Sequence, residues 1–185
     1  MGARRMLKIT IPSREAFNEQ TQTFVQYNEI TICLEHSLVS ISKWESKWHK
    51  PFLDGKKKTR QENLDYIKCM TITQNVPDEA YLFLTKENKD QITEYINDTR
   101  TATWFTENKF APKKKTNEII TSELVYYWMI SYGIPMDAEK WHFNRLLTLI
   151  RIFSIKESTD NKMSKKDTLR HYAALNAARR KGHKK

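Results

Sequence analysis

Leu124-Val125-Tyr126-Tyr127-Trp128-Met129-Ile130, followed by Ser131-Tyr132-Gly133-Ile134-Pro135-Met136-Asp137, sets the expected fold class. Seven apolar or aromatic residues in a row are too few to cross a membrane. They are apolar on nearly every side of a helix, which predicts a buried helix. Gly133 suits the left-handed position that closes such a helix, and Pro135 blocks its continuation. Asp137 is then the natural N-cap of a second helix through Trp141, Leu146, Leu149, Ile150 and Phe153. The two are expected to form an αα-hairpin at the centre of the core. Each large side chain fully buried there contributes about 1.5–3 kcal/mol before conformational entropy is counted. The second helix is too apolar to lie in a DNA groove, so a helix-turn-helix reading fails.

Toward the N-terminus the period changes. Leu7-Lys8-Ile9-Thr10-Ile11 alternates as a half-buried strand does, and Pro12 ends it. Thr23 to Val25 and Ile30 to Leu34 read as two more strands, joined by Tyr27-Asn28-Glu29. Leu38, Ile41, Trp44 and Trp48 then recur at helical spacing until His49-Lys50-Pro51 stops the helix. Thr59-Arg60-Gln61-Glu62 is a capping box that opens a helix from Arg60 to Met70. Pro77-Asp78-Glu79 begins a helical turn through Leu84. Lys86 to Ile96 is a further helix with Ile92, Tyr95 and Ile96 inward. Residues 97–115 show no sustained period and are expected to loop across the surface, with Trp104, Phe105 and Phe110 as anchors. The expected fold is α+β and mostly helical, a small N-terminal antiparallel sheet followed by about six helices.

The chain has 185 residues, a formal net charge of +10, 39% hydrophobic and 29% charged residues, enough for one soluble domain with a real core. Eight of the 32 Lys and Arg, but only one of the 22 Asp and Glu, fall in residues 163–185. That segment carries +7 and leaves +3 for residues 1–162, so a globular domain over 1–162 and a basic helical tail over 163–185 are expected. The tail's apolar stripe is only Leu169, Ala173 and Ala177, which makes its helix marginal until it meets a partner. Two lysine runs, Lys56 to Lys58 and Lys113 to Lys115, sit beside turn signals and read as solvated loops.

Composition also excludes. Only four glycines are present, and neither G-x-G-x-x-G nor G-x-x-x-x-G-K-[ST] occurs. Two cysteines, Cys33 and Cys69, do not make a disulfide framework, and no signal-peptide core follows Met1 to Met6. A zinc set from Cys33, His36, His49 and Cys69 lacks a fixed second-half spacing, so no metal site is expected. His142-Phe143-Asn144 resembles half of a nuclease motif without the other half, and His142 reads better as a hydrogen-bonded boundary histidine. No nucleophile motif such as G-x-S-x-G occurs. Neither enzymatic activity nor a cofactor is expected.

Two binding features remain. Trp44 and Trp48, four apart on one helix, either line an apolar groove with Phe52 or fill the core. In the tail, Lys165, Lys166, Arg170, Tyr172, Asn176, Arg179, Arg180 and Lys181 offer cations, a stacking ring and an amide. This set suits phosphates, an acidic protein surface, or simply a soluble helix end.

Five stretches stand out together: Glu35 to Leu53 (EHSLVSISKWESKWHKPFL), Tyr66 to Thr73 (YIKCMTIT), Thr101 to Phe105 (TATWF), Trp141 to Arg151 (WHFNRLLTLIR) and Leu175 to Lys181 (LNAARRK). In these the chain resembles proteins from the virion-assembly gene blocks of tailed bacteriophages. The likeness covers nearly the whole chain from Met6. Such proteins are identified as tail assembly chaperones. The resemblance implies a non-enzymatic protein that keeps the tape-measure protein soluble and recruits tail-tube subunits in the cytoplasm of the infected host cell, with no membrane partner. The strongly basic tail departs from the neutral or acidic character expected of such chaperones. It keeps open a structural virion protein near the head–tail junction, or a nucleic-acid binder.

Overall fold

A computed structural model of the chain describes residues 6–18, 22–105 and 119–160. The expected tail helix, Phe110 and Lys113 to Lys115 lie outside the described residues. Four strands come first: β1 (Leu7–Ile11), β2 (Arg14–Asn18), β3 (Thr23–Tyr27) and β4 (Ile30–Leu34). Five α-helices follow: α1 (Leu38–Trp48), α2 (Arg60–Met70), α3 (Lys86–Asn97), α4 (Ser122–Ser131) and α5 (Phe143–Asp160). Short 3-10 helices sit at Asp78–Phe83 and Met136–Lys140. The fold is α+β and mostly helical, as the sequence pattern predicts. No helix among the described residues is long and apolar enough to cross a membrane.

The strands make two antiparallel ladders, β1 with β4 and β2 with β3. From Ile11↔Ile30 to Arg14↔Tyr27 both strands advance by three residues, so one register runs through both ladders. The pair is a single long hairpin, interrupted where Pro12 cannot donate to the ladder. β2 is absent from the sequence reading, because Pro12 there looks like the end of a strand when it is only a break in one. Period two sets the inner face of the base: Ile9, Ile11, Ile32 and Leu34 are buried, while Lys8, Thr10 and Thr31 face out. The outer edge of β4 is closed by residues 70–73. There the Glu35 N–H donates to the Met70 carbonyl at 2.8 Å, the Ile72 N–H to Cys33 at 2.9 Å, and the Cys33 N–H to Thr73 Oγ1 at 2.8 Å. On the β1 side the Asn88 amide donates to the Thr10 carbonyl.

Helix ends follow local chemistry. Ser37 with Ser40, Thr59 with Glu62 and Thr85 with Asn88 form reciprocal capping boxes at α1, α2 and α3. α1 ends where His49 turns left-handed (φ 51°) just ahead of Pro51. α4 ends at Gly133 (φ 63°), with the Ile134 N–H reaching back to the Met129 carbonyl at 2.8 Å. That is the Schellman pattern expected of this glycine.

Three expectations about the α4 region are corrected. α4 is buried only along Ser122, Val125 and Met129, while Tyr127 and Ile130 are 64% and 69% exposed. Asp137 caps nothing: it lies inside the Met136–Lys140 turn, which has no side-chain cap. α5 starts at Phe143, where the His142 carbonyl accepts the Arg145 and Leu146 N–H groups. The centre of the core is α1, which packs on α2, on α4 and on the Met136–Lys140 turn. Trp104 is not an anchor either, being 92% exposed, whereas Phe105 is half-buried. The chain divides into two compact units, Met1–Thr148 and Leu149–Lys185. Of the second, the described part is the remainder of α5, in which Ile150 is buried and Phe153 and Ile155 are exposed.

Candidate functional site

The aromatic residues of α1 are occupied by the chain itself. Trp44 is 1% exposed, and its indole N–H donates to the Glu62 carbonyl at 2.8 Å. Trp48 stacks on Trp44 with ring centroids 6.2 Å apart, and Phe52 meets Trp44 edge-on at 5.3 Å and Tyr66 at 4.2 Å. The loop after α1 folds over this cluster. Lys58 Nζ lies 4.2 Å from the Phe52 ring centroid and donates to the Phe52 carbonyl at 2.6 Å. Lys50 Nζ lies 5.5 Å from the Trp48 centroid and pairs with Glu62 at 2.8 Å. Trp44 therefore cannot line an open groove. Trp48 and Phe52 are half-buried parts of the same cluster. Lys58, read from sequence as a solvated loop residue, packs on the rings, while Lys56 and Lys57 are exposed.

Glu45 holds this layer to α4. Its carboxylate accepts the Phe52 N–H at 2.6 Å and the Ser122 N–H at 2.7 Å, and the residue is 8% exposed. A buried carboxylate is tolerated when backbone donors replace the lost water. Lys47 pairs with the buried Asp65 to join α1 to α2, and the Lys50–Glu62 pair ties the loop after α1 to α2. The Lys50 and Thr59 hydrogen bonds hold the Glu62 carboxyl down at about 2.

His142-Phe143-Asn144 has a structural use that the sequence reading anticipates only for His142. The His142 Nε2–H donates to the Tyr95 carbonyl at 2.9 Å. The Asn144 amide donates to the Ile96 and Asp98 carbonyls at 2.8 and 2.9 Å. The last carbonyls of α3 are thus capped from another part of the chain. The Phe143 N–H donates to the His36 carbonyl at 2.9 Å, which ties the start of α5 to the β4–α1 junction. Cys33 and Cys69 are half-buried free thiols. No group of three or more potential ligands among the described residues can hold a metal ion.

Two surface features remain. A cleft of about 510 Å³ is lined by Leu7, by Glu94 and Tyr95 at the C-terminal end of α3, and by Asp98 and Arg100 just after it. It lacks a nucleophile–base pair. The other feature is the outward side of α4, where Glu123, Tyr127 and Ile130 follow at spacings of four and three, all exposed. On the flank of this stripe the Tyr126 hydroxyl donates to Glu139 at 3.0 Å, and burial together with that carboxylate pushes the phenol up to about 12. The signal for this face was in the sequence. A run from Leu124 to Ile130 that is apolar on every side has a second face, and burial in a chain of this size accounts for one. Lys165, Lys166, Arg170, Tyr172, Asn176, Arg179, Arg180 and Lys181 lie outside the described residues. Comparison with protein-family models, curated proteins and solved structures finds no match to this chain.

Proposed function

We propose that this protein is a non-enzymatic tail assembly chaperone of a tailed bacteriophage, binding tape-measure and tail-tube proteins in the infected host cell. The sequence resemblance suggests that class. The observation that carries a protein-binding reading is the exposed pair Tyr127 and Ile130 on a helix whose opposite face is buried. A chaperone for long helical clients needs an apolar strip on a firm support rather than an enclosed pocket. Because Trp44 is core, we infer that the client strip is on α4 and not at Trp44, Trp48 and Phe52. A second reading rests on the +7 carried by residues 163–185, which suits phosphates. It makes the protein a nucleic-acid binder or a virion component near the head–tail junction.

The test is co-expression of the chain with the tape-measure protein of the same phage, followed by nuclease treatment and affinity purification. The chaperone reading expects soluble tape-measure protein in the eluate, lost with Tyr127→Ser plus Ile130→Ser. Nucleic acid recovered in place of tape-measure protein from a parallel sample without nuclease, and abolished by deleting 163–185, supports the second reading instead.

A further inference from the structure

Buried His36 and half-buried His142 meet at the junction of four elements. His36 is 2% exposed, and its ring centroid lies 5.0 Å from that of His142. The His36 Nδ1 shares a hydrogen bond with the Tyr66 hydroxyl of α2, which also contacts Ser40 of α1. From α3, Tyr95 meets His142 edge-on at 5.1 Å and accepts the His36 N–H on its hydroxyl. From α5, the Phe143 ring packs edge-on against His36 at 5.8 Å.

The hydrogen bonds fix where an added proton must go. A carbonyl only accepts, so His142 Nε2 carries the hydrogen toward Tyr95, and Nδ1 is the bare nitrogen. That Nδ1 is buried and has no hydrogen-bond partner among the described residues. Protonation therefore creates a buried cation beside a second imidazole, with an N–H that has nothing to bond.

The charged groups around the pair do not compensate. Arg100, whose guanidinium lies over the Tyr95 ring, disfavours a charge on His142. Asp98 favours it but is paired with Arg100. Glu35, buried beside His36, acts on Tyr95, and burial raises both the Tyr66 and Tyr95 phenols above their usual range.

We propose that the His36–His142 contact is an acid-sensitive latch that holds Trp141–Arg145 against the end of α3 and the β4–α1 junction and releases it on proton uptake. Burial, then the neighbouring His142, lowers His36 from 6.5 to about 3, and burial also lowers His142. Both rings therefore stay neutral while latched. The released state binds protons below about 6.5, so opening is favoured as the pH falls through that value and continues to gain until about 3 for His36. Each ring shifts the opening equilibrium by about tenfold per pH unit within its window.

Amide hydrogen exchange on the full chain at pH 7, 6 and 5, corrected for the intrinsic rate, tests this. The Phe143, Arg145 and Leu146 amides, bonded to the His36 and His142 carbonyls, should lose protection between pH 6 and 5 by more than the roughly tenfold that one ring gives. The Ile41 and Asn63 amides in α1 and α2 should keep theirs. His142→Gln should flatten the loss to the slope of a single ring. In the unaltered protein, the ring protons of both histidines should keep their neutral-form shifts while the amides remain protected, which requires no variant to fold. Protection that is flat from pH 7 to 5, a slope unchanged in His142→Gln, or Ile41 losing protection in step overturns the latch.

Discussion

Glu45→Ala removes the single carboxylate that binds two separate segments to α1. The Ser122 N–H lies in a residue 2% exposed, so water cannot replace its lost acceptor. Leaving it unpaired costs about 2–3 kcal/mol. Phe52 is half-buried, and its N–H is partly rehydrated, for about 1 kcal/mol. The better helix propensity of alanine returns a few tenths, so the expected loss is about 3 kcal/mol. For a chain of this size that lowers Tm by about 6–12 °C. Glu45→Gln keeps one acceptor oxygen but turns an amide N–H₂ toward the other donor, and it should lose about 2 kcal/mol. Urea unfolding followed by circular dichroism and tryptophan fluorescence measures both variants. A Glu45→Ala loss below about 0.5 kcal/mol, the usual scale of surface changes, refutes the bridging role. So does a Glu45→Gln variant as stable as the parent.

Gly133→Ala meets no atom within 4 Å but must adopt φ 63°, so it should cost about 1–2 kcal/mol in chemical denaturation through backbone strain alone. Tyr127→Ser with Ile130→Ser should leave stability within about 0.5 kcal/mol, since both side chains face out; a larger loss in the same assay means that they pack. Deleting residues 163–185 should leave the thermal midpoint unchanged within a few degrees, because its apolar stripe is thin. A fall of many degrees contradicts that.

Local signals were legible and long-range ones were not. The capping box at Thr59, the stop at His49-Lys50-Pro51 and the turn at Gly133 each involve residues within a few positions of one another, and all three occur as the pattern predicts. The start of α5 was missed because it depends on partners far away. His142 and Asn144 reach α3, and the Phe143 N–H reaches His36, and these bonds outweigh a favourable cap at Asp137. Helical spacing placed Trp44, Trp48 and Phe52 together, but whether they meet solvent was settled by Lys58 and the loop carrying it. Binary patterning likewise marked α4 as apolar, without saying which side the rest of the chain covers. β2 went unseen because Pro12 interrupts a ladder whose register continues beyond it.

We propose that the outward face of α4 binds a phage tail protein, and the yield of soluble tape-measure protein on co-expression, after nuclease treatment, measures this with the parent chain and with Tyr127→Ser plus Ile130→Ser. Binding at this face gives soluble, co-purifying tape-measure protein with the parent and its loss with the equally stable double variant. Tape-measure protein that stays insoluble with the parent, or is held equally well by both, contradicts it.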